Sequence, residues 1–423
     1  MKKSFIHTAD IHLGRPFSDL PEIDGISQVC DNACKEAFNN IINLAIERNV
    51  DFVLFAGDNF DSDEQDLSTK LLFIKGLKKL ADNGIASYVI CGNHDPAQLY
   101  RQNAGYFKFE DKYKDLIHIT GVTEEELQKD YEIDGVTIHT LSFETDTAGN
   151  PTESLTEKTD KNFNIGLIHC DVDKTDSKYA PCAKEDLRKL GYDYYALGHI
   201  HIPTELEDGM VYAGSHQSRT KKEVGAHGCY YVEIEDNKIA KTEFVPTDCV
   251  RFNSVSLDCS EYDTAEEVFE NIKTLAEDNA VDVKLNLFEV TLSGVSNAYE
   301  QIAECENLLE EYNKVTEYDS NDNVKIYRIN NELSPDVDKE ELLKDQGVVG
   351  ILANAFSEKS DINIENIYEK VAEIHNNIYK KLKVDDDTKD ALKSSLTDDK
   401  EEILLKVKND IKSMCKEIYL AEK

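Results

Sequence analysis

Apolar and polar positions along this chain fall into blocks whose period changes several times. Residues 3–8 carry a strand pattern, and residues 26–49 shift to the helical period with Ala37, Ile41, Leu44 and Ala45 on one face. Phe52–Ala56 is apolar at every position, as in a strand covered on both faces. Residues 67–80 return to the helical period, with Leu71, Ile74, Leu77 and Leu80 in phase, and residues 86–92 form a third apolar strand. Strand, helix, strand, helix, strand predicts an α/β domain with parallel pairing. A less regular stretch follows, including a polar insert over 144–161 that reads as loop. Residues 164–168 and 194–197 are two more buried strands, with a helical pattern at 183–190 between them. From Met210 the blocks shorten to strands at 210–213, 228–235 and 238–245, the last two joined by an Asp236-Asn237 turn of hairpin type.

Beyond residue 250 the texture changes. Strand and helix patterns alternate over 252–257, 265–280, 283–292, 297–312 and 324–330, which predicts a small α+β module. After Pro335 the pattern is helical. Ile364, Ile367, Val371, Ile374 and Ile378 step by three and four, as do Leu404, Val407, Ile411, Met414 and Ile418. Both are narrow apolar stripes flanked by Lys and Glu, suited to a helix–helix seam with each other or with a partner. The expected domains are therefore 1–250, 251–335 and 336–423.

Five of the predicted strands end in the same kind of chemistry. Asp10 and His12 follow the first, Asp58 the second, and Asn93 and His94 the third. His169 follows the fourth, and His199 and His201 the fifth. Residues two apart in extended chain point to one side, and in open α/β sheets ligands bind outside the carboxyl ends of the strands. Five of the eleven histidines fall there, which unrelated core histidines would not do. Nitrogen and oxygen donors without a thiolate suit Mn²⁺, Fe²⁺ or Zn²⁺. One carboxylate shared by two ions is the arrangement of two-metal phosphoryl chemistry.

Charge complicates that picture. Asp plus Glu number 84 against 47 Lys plus Arg, a net charge of −37, which repels nucleic acid and anionic membranes. Metals in a site can supply positive charge locally. Arg219, Lys221 and Lys222 form the one compact basic cluster in the predicted core, and Arg15 follows the first motif; these are the candidate nucleic-acid contacts. No apolar run approaches the roughly 20 residues of a membrane span. The first residues lack a signal-peptide pattern, and the scattered cysteines suit a reducing compartment, so a cytoplasmic protein is expected.

Asp-x-His, Gly-Asp, Gly-Asn-His-Asp, an isolated His and Gly-His-x-His, in that order, resemble the motifs of the calcineurin-like metallophosphoesterase superfamily. Residues 7–14 and 57–61 resemble SbcD-type DNA-repair nucleases. The stretches around His169, Gly198, residues 211–215 and residues 217–225 are similar to the YhaO branch. The resemblance covers about residues 1–250. It implies an α/β/β/α sandwich of two mixed sheets, with the following module capping the site. It also implies one metal held by Asp10, His12, Asp58 and His201, and a second by Asp58, Asn93, His169 and His199. Asp58 bridges, His94 is the catalytic histidine, and Mn²⁺ is the first-choice ion. Some family nucleases carry a further histidine where this chain has Asp61, so a second-histidine role is missing. His7, inside the first motif, is expected to be structural. Family practice implies trimming of DNA 3′ ends and opening of single strands, and docking of the C-terminal helices on an SbcC-like coiled-coil ATPase; the oligomeric state is left open, with a homodimer as one option. Acidity favours the alternative, a phosphodiesterase or phosphatase for small nucleotides. A non-enzymatic scaffold is a third reading, against which the complete set of motif residues speaks.

Overall fold

The computed structural model describes residues 2–17, 26–61, 67–103, 105–123, 126–174, 176–316 and 323–335. The first half of the chain runs β1 (Lys2–Thr8), α1 (Ser27–Glu47), β2 (Phe52–Ala56), α2 (Leu67–Asp82), β3 (Ala86–Ile90), α3 (Ala97–Gln102), β4 (Ile117–Ile119), β5 (Gln128–Ile133) and β6 (Val136–Leu141). There follow β7 (Phe163–His169), the two-residue strands β8 (Asp171–Val172) and β9 (Pro181–Cys182), α4 (Lys184–Leu190) and β10 (Tyr194–Gly198). β11 (Thr204–Glu207), β12 (Met210–Tyr212), β13 (Gly228–Glu235), β14 (Lys238–Pro246), β15 (Val250–Asp258), α5 (Ala265–Asp278), β16 (Leu285–Ser293) and β17 (Val324–Asn331) complete the strands.

Two six-stranded sheets carry the site. The first has the order β14-β13-β1-β2-β3-β4, and the second β11-β12-β10-β7-β6-β5. β1 to β4 are parallel, with β13 antiparallel on the open side of β1. β12, β10, β7 and β6 are likewise parallel, with antiparallel β11 and β5 at the edges.

Period-two alternation explains why the central strands are apolar throughout. Ile6, Val53, Phe55 and Val89 pack with Phe38, Phe73 and Leu77 of the helices. Their neighbours Phe5, Phe52, Leu54 and Ile90 pack instead against Ile165, Leu167, Tyr194 and Ala196 of the second sheet. On the far face of that sheet Ile168, Tyr195 and Leu197 meet Leu187 and Leu190 of α4. Helices, sheet, sheet and helix are thus stacked in the expected α/β/β/α order. The β13–β14 turn has Asp236 and Asn237 at φ 51° and 58°, the paired left-handed geometry of a tight hairpin.

Residues 96–143, less regular in their apolar pattern, hold α3, β4, β5 and β6. β4 is only three residues long, and β5 buries only Tyr131. Such edge strands lack the apolar run that betrays a central one.

The chain divides into two compact units. The first comprises the described parts of Met1–Val255, Ala276–Glu289 and Asp319–Arg328, and contains every strand-end motif. The second takes the described parts of Ser256–Leu275, Val290–Tyr318 and Ile329–Lys423. Within it Phe269 meets Tyr312 edge-on. The two helical stripes beyond residue 335 lie outside the described residues.

Candidate metal centre

The turns after β1 and β2 run side by side. Asp10 N–H donates to the Gly57 carbonyl (3.1 Å), His12 N–H to Asp58 (2.9 Å) and Leu13 N–H to Asn59 (2.9 Å). Four chemistry-bearing residues sit at positive φ: Asp10 at 49°, His12 at 43°, Asp58 at 50° and His199 at 106°. Such backbone is unfavourable for side chains with a Cβ and is held only where surrounding structure imposes it. The motif glycines explain how the turns come so close. A Cβ on Gly92 would lie 2.2 Å from Asp58 Oδ1, and one on Gly198 would lie 2.0 Å from the Ala56 carbonyl oxygen.

All the strand-end residues converge. Asp58 Oδ2 lies 3.6 Å from His12 Nε2 and 3.5 Å from His169 Nε2, so one carboxylate oxygen is central to both. His12 Nε2 and His201 Nε2 face each other at 3.2 Å. Asn93 Oδ1 is 3.0 Å from His169 Nε2 and 3.3 Å from His199 Nδ1. Both oxygens of Asp10 accept the His199 N–H, at 3.1 and 3.0 Å. Three donor triads fall within 4.8 Å: Asp10, His12 and His201; His12, Asp58 and His94; Asp10, Asp58 and His169.

This donor set fits divalent cations. His169 Nδ1 donates to the Ala56 carbonyl at 2.9 Å, which commits its proton there and leaves Nε2 facing Asp58. Burial holds His12 neutral, with its pKa lowered to about 3, and also lowers His199 to about 4. Neutral imidazoles are what a metal requires. For His169 burial acts in the same direction, but the Asp58 charge outweighs it and raises the pKa to about 9. Burial opposes the ionisation of Asp58, yet attraction from His169 and His12 holds its carboxyl far below the usual range. The carboxylate is therefore ready to accept cations.

His94 is the exposed member. Its N–H donates to Asp58 Oδ1 at 2.9 Å, and its Nδ1 lies 3.0 Å from the Asp61 carbonyl. His7 lies apart, buried between Tyr194 Oη (3.0 Å) and the Leu197 carbonyl (3.2 Å), in a structural setting.

The basic cluster divides. Arg219 is 1% exposed and its guanidinium lies against the Ile11 carbonyl (3.4 Å), so it is not the surface residue the sequence suggested. Glu223, four residues on, draws it inward. Lys221 is half-buried and Lys222 exposed. Arg15 lies 3.3 Å from Asp61.

Three acidic residues beyond the seven candidate donors also serve the centre. Asp95 is buried and gathers the turns: it accepts from the N–H groups of Asp58 (3.1 Å), Asn59 (2.8 Å), Phe60 (3.2 Å) and Gly92 (2.8 Å), and from Tyr100 Oη (2.8 Å). Its signal was its place as last residue of Gly-Asn-His-Asp. Glu223 lies 2.7 Å from His201 Nδ1, and Asp61 lies 3.3 Å from His12 Nδ1. Asp61 had a signal in its place three residues after Asp58, where some family nucleases carry a histidine; Glu223 had none in so acidic a chain.

With this geometry the class of protein is clear. Residues 3–203 match the calcineurin-like phosphoesterase family, and the chain carries a metallophosphoesterase domain of that family. It is 30% identical over 284 residues to the uncharacterized metallophosphoesterase YhaO of Bacillus subtilis, covering 64% of this chain and 66% of that protein. It is also similar to the DNA double-strand break repair protein Mre11 of Methanopyrus kandleri, at 24% identity over 59% of this chain and 58% of the relative. Mre11 of Methanocaldococcus jannaschii is 26% identical, over 60% of this chain and 69% of the relative. The chain thus spans about two thirds or less of the first two of these relatives. Asp and His residues of this domain are arranged to hold divalent metals.

Proposed function

We propose that the protein is a metal-dependent DNA-repair nuclease that hydrolyses phosphodiesters, as a 3′-end exonuclease and single-strand endonuclease. The observation that carries this reading is the central Asp58 oxygen, flanked by His12 at 3.6 Å and His169 at 3.5 Å. Asp10, His12, Asp58 and His201 would hold one ion, and Asp58, Asn93, His169 and His199 the other. Mn²⁺ is the first choice, with Fe²⁺ or Zn²⁺ as alternatives. Bound there, divalent ions supply Lewis-acid stabilisation of a phosphoryl group and acidify water.

The chain's own residues do the rest. Asp58 Oδ1, by accepting the His94 N–H, fixes His94 at the mouth of the site. With Nδ1–H directed to the Asp61 carbonyl, Nε2 of the doubly protonated ring is the atom left to pass a proton to the leaving oxygen. Despite the overall acidity, cations border the site: Arg15 is tied to Asp61, and Lys178 lies 5.3 Å from the ring of Tyr179, itself 5.3 Å from His199. Together with Lys221 and Lys222 they offer partners for a phosphate backbone.

In this reading residues 1–250 are the nuclease domain and 251–335 cap it. Residues 336–423 dock an SbcC-like coiled-coil ATPase. A homodimer and a cytoplasmic location complete the proposal, and no described helix is long and apolar enough to cross a membrane. The net charge of −37 favours a second reading, a small-nucleotide phosphodiesterase or phosphatase.

One experiment separates them. End-labelled duplex DNA is incubated with purified protein and Mn²⁺, beside a chelator control, the His94→Ala variant, bis-p-nitrophenyl phosphate and cyclic nucleotides. Shortening from 3′ ends is expected, slowed about 10²–10⁴-fold in His94→Ala with metal content unchanged. Metal loss in step with rate would remove His94 from proton transfer. Turnover of small diesters alone, still without DNA cleavage when the ATPase is added, would establish the second reading.

A further inference from the structure

The imidazoles of the centre are not backed alike. His201 Nδ1 lies 2.7 Å from Glu223 Oε1, a carboxylate only 10% exposed. The carboxylate can only accept, so the proton resides on Nδ1 and the Nε2 lone pair faces inward, 3.2 Å from His12 Nε2. His12 also has a carboxylate behind it, Asp61 Oδ1 at 3.3 Å from its Nδ1, though no hydrogen bond joins the two. Across the centre, His169 is backed by a neutral carbonyl, Ala56 O at 2.9 Å. His199 has a carboxylate, Asp171, only at 3.6 Å.

Glu223 is itself held. Its second oxygen accepts the Arg219 N–H at 2.7 Å, and the buried Arg219 side chain reaches the carbonyl of Ile11 at 3.4 Å. Ile11 stands between Asp10 and His12, so this chain of contacts joins the segment bearing Glu223 to the turn after β1.

We propose that Glu223, with Asp61, is a positioning residue that makes the Asp10–His12–His201 position the tighter of two unequal metal sites. A carboxylate behind an imidazole fixes its tautomer, raises its basicity and adds negative charge near the cation. This inference rests on the metal-centre part of the reading above, but not on the choice of DNA as substrate.

The test uses the full-length chain stripped with chelator and titrated with Mn²⁺ by calorimetry. Wild type is compared with Glu223→Gln, Glu223→Ala and Asp61→Asn, and thermal unfolding of each metal-free protein reports folding. Wild type is expected to show two steps of different affinity. Glu223→Ala should weaken the tighter step by about 10–100-fold and leave the weaker one unchanged. Glu223→Gln, which keeps an acceptor but loses the charge, should fall between. Asp61→Asn, on a different turn, should weaken the same step and carries the test with Glu223→Gln if Glu223→Ala does not fold. Variants that are less heat-stable yet bind both ions as wild type does would overturn the proposal, as would equal weakening of both steps. A wild-type protein that binds no Mn²⁺ would instead overturn the metal-centre reading itself.

Discussion

The two sheets contribute to the centre in different ways. The first supplies both carboxylates, Asp10 and Asp58, from turns that are bonded to one another, and Asp95 ties the Asp58 turn to the one after β3. The second supplies His169, His199 and His201 from turns that are anchored across the gap, His169 to the Ala56 carbonyl and His199 N–H to Asp10. One half is thus organised from within and the other by its opposite number. Charge accounts for part of this: Asp10 and Asp58 sit together in a buried place, and donors from the facing sheet lower the cost of their proximity. The centre therefore belongs to the contact between sheets as much as to catalysis.

That contrast can be broken at its strongest point first. Asp95→Ala leaves several buried N–H groups of the first-sheet turns unpaired. It should cost about 4 kcal/mol in urea unfolding and reduce metal binding with it. An effect confined to binding would show that the turns hold without it. Gly198→Ala pushes a Cβ to 2.0 Å from the Ala56 carbonyl oxygen and prises the second-sheet turn away. About 3 kcal/mol of stability should be lost, and the second ion released, as read by metal analysis. Unchanged metal content would mean that the sheets separate more easily than their contacts suggest. Stripping the metal should cost about 2.7 kcal/mol at an ion concentration 100-fold above Kd, seen as a lower Tm in calorimetry with chelator.

The smallest effect is a matter of pH. His7 of the first sheet is wedged against Tyr194 and Leu197 of the second, and burial lowers its pKa to about 3. It is neutral in the folded state, while in the unfolded chain it takes up a proton below about pH 6.5. Its contribution is therefore complete above pH 6.5 and declines as pH falls toward 3. Between pH 7 and 5.5 this should remove about 1 kcal/mol from the metal-free protein. His7→Gln should flatten that slope in urea titrations at the two pH values; an unaltered slope would locate the acid sensitivity elsewhere.

How far the molecule could be read from its residues depended on what each position must do. β2, β3, β7 and β10 were plain because each is buried on both faces and so apolar at nearly every position. Edge strands gave no such signal: β5 and β11 read Gln-Lys-Asp-Tyr-Glu-Ile and Thr-Glu-Leu-Glu, since one side meets water. Seven candidate metal donors were legible because strand ends and two-residue spacings left few alternatives. Glu223 was hidden among 84 acidic residues, where another carboxylate is no news, whereas Asp95 and Asp61 stood inside the motifs but with nothing to show what they bond. Arg219 looked like its neighbours Lys221 and Lys222, and only the buried Glu223 sets it apart. Partners that orient a ligand follow from three-dimensional contact, which local pattern does not encode.

The position of β1 in its sheet also bears on how the protein can be made. β1 is the first strand of the chain, yet its antiparallel partner β13 comes only at Gly228–Glu235. A nascent chain released from the ribosome as far as His201 would have every donor residue, but β1, paired with β2 alone, would leave its other side open beside the turn that presents Asp10 and His12. Such an edge invites association with other chains. The family match ends at residue 203, and a fragment cut there would carry the same exposed edge. An expression fragment meant to fold alone must therefore run through Pro246, to include both β13 and the strand that covers it.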